Sequence, residues 1–561
     1  MLTIFHVIGV AQEYARKVLS HTETASEQSL YAGDDFGDFA TFLWQPYIYR
    51  PPRLNSTFPV VEPTRCFASL YKISDETMTH VPFETVEKFE ELGQTVTPNS
   101  DSFSLLLLRG YPCATWLNVL GARFNIDPEF FRRHLLFESR PRRKTLKHTA
   151  MQILPSCYSD MLSLPVTTIG LQKHDMQTKH DQEQLDELRR DWSKRMSTYT
   201  RKLALLNSPD MAAGHPFARD VSVHNFDSFS LEQTISIYIP PAWKGRLGIV
   251  WHDGLRQLGE ELKWPWETGT GGTRANSFLK YLPTPLHRPG ISFNGRSKTL
   301  SNQAESIKPS ARVDIVLRDY LRHIDLARAV HDPFYALSPF FNLAVSSEMA
   351  ILDLVDTKIR EELNHSHLIH NNNLTLSNLL YHQQVLRRHI RNLKGTIGAI
   401  ESLYERDLSE KTSDSNVKGS NPRKIESILR DYRSALTYAE SLAAECVQGM
   451  TITAHNATIR ESEKAIAEAQ GVTKLTKLAV FFVPLSFVAS VFGMNVQEVN
   501  PGSNPPFWSW VVASLAVGVI TWALFKYDEL QDLTRRAWMS SIRRMYKPPA
   551  RSDKLGLDPR V

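Results

Sequence analysis

Two apolar segments separated by a short polar stretch constrain the fold of this chain more than any other feature. Residues 478–494 and 507–525 contain about 17 and about 19 residues without a charge, close to the number that crosses roughly 30 Å of hydrocarbon as a helix. Neither segment has the polar face of a half-exposed helix. We therefore expect transmembrane spans at 478–495 and 507–525, joined by an external loop at 496–506. The alternative is a pair of buried helices in a large soluble domain.

The charges around these segments predict their orientation. Lys474 and Lys477 precede the first segment, whereas the loop contains no Lys or Arg and one acid, Glu498. A basic tail, residues 526–561, follows the second segment, and its basic residues include Lys526, Arg535 and Arg536. Because positive charge stays on the cytoplasmic side, we expect a multi-pass membrane protein with both termini in the cytosol. Plasma membrane and organelle membrane both remain open.

Composition indicates a large cytosolic body attached to this hairpin. A chain of 561 residues with 42% hydrophobic content is long enough for two or three domains with a proper core. The net charge of +5 is small for this length, so we expect no nucleic-acid partner. The four cysteines form no CxxC pair, which fits a reducing compartment and excludes a cysteine zinc site. The absence of a GxxxxGK[ST] loop disfavours a primary pump, and we expect neither an enzyme nor a cofactor.

The N-terminal region, residues 1–335, is predicted to be a mixed α/β (α+β) cytosolic domain. Residues 104–108 form an apolar run typical of a buried strand, and Asp127 is a candidate N-cap for the helix that follows. Residues 233–239 alternate with period two, and 247–251 provide a partner strand.

Two parts of this region are predicted to be loops or insertions, around 172–230 and 286–310. The first begins with a highly charged amphipathic stretch, 172–205, which fits an exposed helix or a partly ordered insertion. The second is rich in Ser, Pro, Gly and Arg.

Long helices follow. Residues 336–421 are predicted to be a helical cytosolic region, and 422–477 a long stalk helix, since Pro422 is followed by no proline until Pro484. Apolar residues recur along this helix at alternating spacings of four and three, which is typical of a coiled-coil seam. The seam consists of Ile425, Leu429, Tyr432, Leu436, Ala439, Ala443, Cys446 and Met450.

The tripeptide Gly493-Met494-Asn495 closes the first apolar segment. A long helix that ends in this tripeptide, followed by a short loop and a second span, resembles the CorA-type magnesium transporter family. The likeness covers about the last 140 residues, and a diffuse likeness to fungal CorA-like proteins extends over 105–135. The resemblance implies a homopentamer around a central pore, with the first span lining the pore, the α/β domain forming a cytosolic funnel, and Gly493, Met494 and Asn495 at the mouth. The acidic loop often found after the tripeptide is absent here, and Glu498 is a loose substitute.

The residues of such a mouth have a chemistry suited to a hydrated cation. Mg²⁺ holds its water tightly, and conduction requires binding that is favourable but weak. The neutral amide of Asn495, repeated by symmetry, could hydrogen-bond the water shell of the ion, and Gly493 permits carbonyls to face the axis. The metal contact expected for Asn495 is therefore made through a hydrated ion. The alternative is a glycine that ends the helix, followed by an Asn.

One stripe of the first span carries small or mildly polar residues at spacings of three and four. It consists of Thr476, Ala479, Val483, Ser486 and Ser490. We interpret this stripe as pore-lining. The alternative is a surface that serves helix packing.

These observations predict a channel-like transporter that moves Mg²⁺ or a related divalent cation across a membrane down its electrochemical gradient. Its partners would be further copies of itself, membrane lipid and the cation. One alternative keeps the fold and changes the ion to Co²⁺, Ni²⁺ or Zn²⁺. Another is a non-conducting membrane-anchored interaction protein.

One further motif lies in the predicted cytosolic region. Residues 251–254, with the sequence WHDG, contain groups suited to acid–base chemistry. No nucleophile or third partner can be assigned to them from the sequence, and a turn at a strand end explains the motif.

Overall fold

The computed structural model consists of two compact units, Met1–Ala454 and His455–Val561. It describes residues 2–23, 37–48, 66–93, 102–135, 160–172, 182–204, 206, 213–243, 246–254, 279–282, 324–368, 372–413, 422–493, 511–524 and 526–527. The predicted loop at 286–310, the external loop at 496–506 and the tail beyond Tyr527 lie outside the described residues.

The described part of the first unit contains one eight-stranded sheet. Its strands are β1 (Ala68–Ser74), β2 (Met78–Phe83), β3 (Ser102–Arg109), β4 (Met161–Gln172), β5 (Asp220–Val223), β6 (Ser228–Tyr238), β7 (Leu247–His252) and β8 (Leu279–Tyr281). The order is β2-β1-β3-β7-β6-β4-β8, and β5 also pairs with β6. The β3–β7 pair is parallel and the other pairs are antiparallel. Because β4 pairs with β6 along its length, β5 and β7 share the opposite edge of β6.

Helices precede, interrupt and follow the strands. They are α1 (Leu2–Glu23), α2 (Gly37–Ile48), α3 (Val86–Gly93), α4 (Ala114–Phe124), α5 (Pro128–His134), α6 (Gln182–Ala204), α7 (Leu326–His331), α8 (Pro333–Leu368), α9 (Asn372–Ser413), α10 (Pro422–Gly493) and α11 (Val511–Leu524). A short 3₁₀ helix, Pro241–Trp243, joins β6 to β7.

The central strand β3 explains how the first unit is layered. Its run of four leucines is buried because both faces of the sheet are covered. Leu105 and Leu107 belong to a core shared with α8, α9 and α10, whereas Leu106 and Leu108 belong to a core shared with α1, α2, α4 and α5. Successive side chains of a strand point to opposite faces, so one apolar run supplies both cores.

Local predictions in this unit are confirmed where the sequence pattern is strong. The side chain of Asp127 accepts a hydrogen bond of 2.8 Å from the backbone N–H of Glu129, and Pro128 occupies the first turn of α5. Strands β6 and β7 pair antiparallel as their alternation and spacing suggest.

In the region around 172–230, the helix considered for 172–205 is confirmed as α6, whereas the prediction of a loop or insertion is wrong where strands form. Helix α6 and strand β5 lie within it, and β6 begins at Ser228. The side chains of Leu185, Trp192 and Met196 are buried against β5 and β6, in a small core with Phe229. Charged residues cover the opposite side of α6, so the high charge reflects one exposed face of a packed helix.

The long helix predicted from Pro422 is present as α10, which has 72 residues and contains Pro484. Its apolar seam is confirmed as a packing surface, since Ile425, Tyr432 and Cys446 are at most 1% exposed in a core with α8 and α9. The two units divide within this helix, after Ala454. The first part of the predicted stalk is therefore part of the core of the first unit.

Candidate functional site

The C-terminal part of α10 is largely exposed in the second unit. Every residue from 461 to 480 is exposed, and only 6% of the most apolar 18-residue window of the helix is buried. Phe482, Val483 and Phe487 are 63%, 63% and 69% exposed. A helix from the core of a soluble domain would be buried, so the exposure of this apolar surface fits a segment surrounded by lipid or by further copies of the chain.

Among the described residues, α10 is the one helix long and apolar enough to cross a membrane. The second predicted span, 507–525, is described over Val511–Leu524, which is a shorter apolar helix. The two-helix transmembrane hairpin is therefore supported for its first span, while the full second span stays a prediction.

Helix α11 lies alongside α10 within the second unit. Phe481 of α10 faces α11 across a cavity of about 510 Å³, whose other lining residues are Val511, Ser514, Leu515, Gly518, Val519 and Trp522. A second cavity, of about 370 Å³, is lined by Thr521 and Leu524 of α11 together with Val472, Thr473, Thr476, Lys477 and Val480 of α10. One side of α10 is thus turned towards α11.

The predicted pore-lining stripe lies mostly on another side of α10. Ala479, Val483, Ser486 and Ser490 are exposed, line neither of these cavities, and fall within an arc of about 60° at 100° per residue. Thr476 is also exposed, but it lines the second cavity and therefore lies at the edge of the stripe nearest α11.

The hydroxyl groups of the stripe bond to their own helix. Ser486 Oγ donates to the carbonyl of Val483 at 2.9 Å, and Thr476 Oγ1 donates to the carbonyl of Val472 at 2.9 Å. These bonds satisfy the hydroxyl hydrogens where no water is present. The hydroxyl oxygens keep lone pairs that can accept hydrogen bonds from water around an ion.

The predicted mouth begins at the last described residue of α10. Gly493 is the last residue of α10, whereas Met494, Asn495 and Glu498 lie outside the described residues. In the predicted basic tail, Lys526 is exposed, and Arg535 and Arg536 lie outside the described residues. The described part of the chain holds no group of three or more His, Cys, Asp or Glu side chains arranged to bind a metal.

The WHDG motif belongs to a buried network in the first unit. Asp253 Oδ1 lies 3.1 Å from His134 Nε2, and His134 Nδ1 lies 2.8 Å from Ser236 Oγ. The order Ser–His–Asp is that of a hydrolytic triad, but the three residues are at most 6% exposed, so a substrate has no access to the hydroxyl. Arg219 also binds the Asp253 carboxylate, at 2.5 and 2.8 Å. The network therefore joins α5, β6 and β7 as a structural element.

Burial and charge determine the protonation states of this network. Burial lowers the pKa of His134 to about 4, and the nearby Asp253 only partly offsets this effect. Burial raises the pKa of Asp253, but Arg219 and His134 lower it more, and the result is below its ordinary value. Asp253 is separated from these two partners by 34 and 119 residues, so no spacing in the sequence could reveal them.

Comparison with known proteins assigns the C-terminal part of the chain. Residues 306–527 match the family model described as CorA-like Mg²⁺ transporter protein. This part of the chain is similar to the CorA-type family. The matched residues include α7 to α11 and the tripeptide that begins at Gly493, so the CorA-type segment begins well upstream of the last 140 residues.

Other comparisons add little to this assignment. The CorA magnesium transporter from Methanocaldococcus jannaschii matches with 10% sequence identity over 82% of this chain and 97% of that chain, with a TM-score of 0.35. That score is too low to establish a shared fold, so the assignment depends on the family match. No curated protein matches the chain.

Proposed function

We propose that this chain is a channel-like transporter that moves Mg²⁺ or a related divalent cation across a membrane, down its electrochemical gradient. The CorA-type match over 306–527 is the observation that carries the proposal. The exposed apolar surface of α10 supports it.

The proposed pore is lined by the first span in a homopentamer. Ala479, Val483, Ser486 and Ser490 face the pore, with Thr476 at the edge of the same stripe. These side chains are small and uncharged, so a hydrated cation can pass without being held tightly. Residues 507–525 complete the hairpin outside the pore, and both termini lie in the cytosol.

The proposed selectivity mouth is formed by Gly493, Met494 and Asn495. Five Asn495 side chains would present neutral amide oxygens to the water shell of the ion, which favours entry without preventing release. Glu498, in the external loop, adds some negative charge in front of the mouth. Carboxylates at the mouth itself would hold a divalent ion more strongly.

An inside-negative membrane potential is sufficient to drive entry. A potential of 100 mV contributes about 2.3 kcal/mol per elementary charge, hence about 4.6 kcal/mol for a divalent cation. The proposed role of Lys526, Arg535 and Arg536 is to anchor the inner end of the second span at anionic lipid.

The test is ion flux into liposomes that contain the purified full chain, measured for Mg²⁺, Co²⁺, Ni²⁺ and Zn²⁺ in turn. We expect potential-driven uptake of Mg²⁺ or a related ion. Asn495→Ala should reduce the rate or change the order of preference among the ions. The matched control is Asn456→Ala, the same change at a half-exposed position of α10 far from the mouth, which should keep the wild-type rate.

Three outcomes would contradict parts of this proposal. Absence of flux for every ion, from protein that is folded and oligomeric, would favour the membrane-anchored interaction protein. An Asn495→Ala variant with wild-type rates and preferences would remove the mouth assignment. A strictly monomeric protein in lipid, by light scattering, would exclude the shared pore.

A further inference from the structure

A cluster of buried charges lies where the helices α8 and α9 meet the sheet of the first unit. His389 of α9 and Glu348 of α8 are joined by a contact of 2.7 Å between Nδ1 and Oε2. Both side chains are 1% exposed. A charged pair so far from water depends on its own contacts for stability.

The neighbouring residue on α9 extends the cluster to the sheet. Arg388 binds Glu232 of β6 at 2.8 Å and donates to Ser222 Oγ of β5 at 2.7 Å. It also forms an ion pair with Asp220 of β5. Glu232 Oε1 lies 3.8 Å from His389 Nε2. Two successive residues of one helix therefore connect α9 to α8, β5 and β6.

The other ionisable groups near His389 do not replace these contacts. His224, after β5, and His382 of α9 are buried with stacked rings, and burial lowers the pKa of His382 to about 3 and that of His224 well below its ordinary value. Both are therefore neutral at pH 7. Tyr432 of α10 donates to a backbone carbonyl of α8 at 3.3 Å, and β4 has no ionisable side chain.

The charge balance of the cluster depends on His389. Its carboxylates are Asp220, Glu232 and Glu348, and its cations are Arg388 and protonated His389, so the net charge is −1. Loss of one proton makes it −2 in surroundings that exclude water. Burial lowers the pKa of His389, but the two nearest glutamates raise it more, and the result is above its ordinary value.

The two ring nitrogens of His389 are not equivalent. Nδ1 is fixed on the Glu348 carboxylate, whereas Nε2 is buried without a hydrogen-bond partner. When the ring loses a proton to solvent, Nδ1 can therefore keep its hydrogen and its hydrogen bond to Glu348. The proton that is lost is the one on Nε2. The electrostatic attraction between His389 and Glu232 is lost together with that proton, because the ring is then neutral.

We propose that Glu232, Glu348, Arg388 and His389 form a proton-sensitive clamp, which holds α8 and α9 on the sheet while His389 is protonated and loosens when Nε2 loses its proton. A base whose pKa is raised on folding stabilises fully below its unfolded pKa of about 6.5, and this effect is lost as pH rises through the folded pKa. Burial also raises the pKa of Glu232, which acts in the same direction.

The clamp gives the chain a response to pH as it rises above the unfolded pKa of about 6.5. Helix α10 packs on the same two helices through Tyr432 and the rest of its seam. Loosening of α8 and α9 therefore changes the support of the helix that carries the proposed pore. This consequence for transport rests on the proposed function, whereas the clamp itself does not.

The test is hydrogen–deuterium exchange of the full chain in detergent between pH 6 and 9, corrected for intrinsic rates, on peptides that cover 228–238 and 385–393. We expect protection to fall as pH rises, by up to tenfold for each unit by which folding raises the pKa of His389. His389→Gln should remove this pH dependence. The matched control, His331→Gln at an exposed histidine, should keep it.

If His389→Gln fails to fold, the variant Glu232→Gln still tests the clamp. Glu232→Gln removes the charge that faces Nε2, so the fall in protection should occur at lower pH. An unchanged midpoint in Glu232→Gln, the same fall in folded His389→Gln, or titration of His389 at or below 6.5 by histidine NMR would each overturn the clamp. Liposome flux at the same pH values separates the two proposals, because wild-type protein without flux at any pH contradicts transport and leaves the exchange result valid.

Discussion

Arg219 and Asp253 are joined by two hydrogen bonds at the end of β7, from Nε to Oδ2 at 2.5 Å and from Nη2 to Oδ1 at 2.8 Å. The Asp253 side chain has no exposed surface, and the Arg219 side chain is 16% exposed. The backbone N–H of Thr234 donates a further bond of 2.7 Å to the same carboxylate. A buried carboxylate with this many donors is stable only while its cation is present.

Arg219→Ala should therefore lower the free energy of unfolding by about 3–5 kcal/mol, because it leaves a buried charge without its cation. The measurement is urea unfolding of the full chain followed by tryptophan fluorescence, which is suitable because the Trp251 ring stacks on His134 with centroids 4.0 Å apart.

Arg433→Ala is the matched control for this change. Arg433 contacts Glu401 at 2.6 Å, but the two side chains are 61% and 40% exposed, so the loss should not exceed about 1 kcal/mol. Equal losses in the two variants would show that burial does not determine the strength of the Arg219–Asp253 pair.

The chain should lose stability as the pH falls from about 6.5 towards 4. Burial depresses the folded pKa of His134 to about 4 and that of His382 to about 3, so in this range the unfolded chain binds protons that the folded chain does not. Stability therefore decreases with acid, in the opposite direction to the His389 effect, which lowers stability as pH rises. The measurement is the midpoint of thermal unfolding against pH.

Replacing a buried histidine tests this origin. His382→Gln should reduce the steepness of the acid-side loss by up to one proton, whereas His455→Gln, at an exposed histidine, should leave it unchanged. An acid profile that is the same in all three proteins would contradict the prediction.

Sequence reasoning was successful where a structural element depends on neighbouring residues. The Asp127 cap, the β6–β7 pair and the seam that begins at Ile425 all follow from spacing along the chain. The exposed apolar surface of α10 follows from an uninterrupted run of uncharged residues in the same way.

Contacts between residues that are far apart in the sequence could not be predicted from local spacing. His134, Asp253 and Ser236 meet because α5 packs against β6 and β7, and His389 meets Glu348 because α8 and α9 are adjacent. The spacing of such pairs along the chain follows neither the helical nor the strand periodicity. For α6 the helix was among the expectations, but its packing was missed, since its high charge concealed a narrow apolar face.

Gly110→Ala should destabilise the first unit by at least about 1–2 kcal/mol, the cost of a left-handed backbone in a residue with a Cβ. Gly110 has a φ of 63°, and an added Cβ would lie 2.3 Å from the carbonyl oxygen of His215. The cost should exceed the backbone value because that oxygen belongs to the main chain and cannot rotate away. The measurement is again urea unfolding of the full chain.

Gly395→Ala should have the opposite sign. Gly395 lies inside α9 with open space where its Cβ would be, so alanine should stabilise by roughly 0.5–1 kcal/mol. A destabilised Gly395→Ala variant, or a neutral Gly110→Ala variant, would contradict this comparison.

Ser486→Leu should reduce ion flux severalfold if the stripe of α10 faces the pore, because every subunit would then add an apolar side chain to the lumen. Ser486 is exposed in the single chain, as are its stripe neighbours Val483 and Ser490, so the larger side chain meets no contact that folding requires. The measurement is liposome flux at equal protein content, with light scattering to verify that the oligomer is unchanged.

Ala489→Leu is the matched control, since it also adds bulk at an exposed position of the same helix, but about 90° from the centre of the stripe. On that face the added side chain meets lipid rather than the pore, and flux should stay close to the wild-type rate. If the two variants lose flux equally, or if only Ala489→Leu loses it, another face of α10 lines the pore. The small residues of the stripe would then be explained by helix packing.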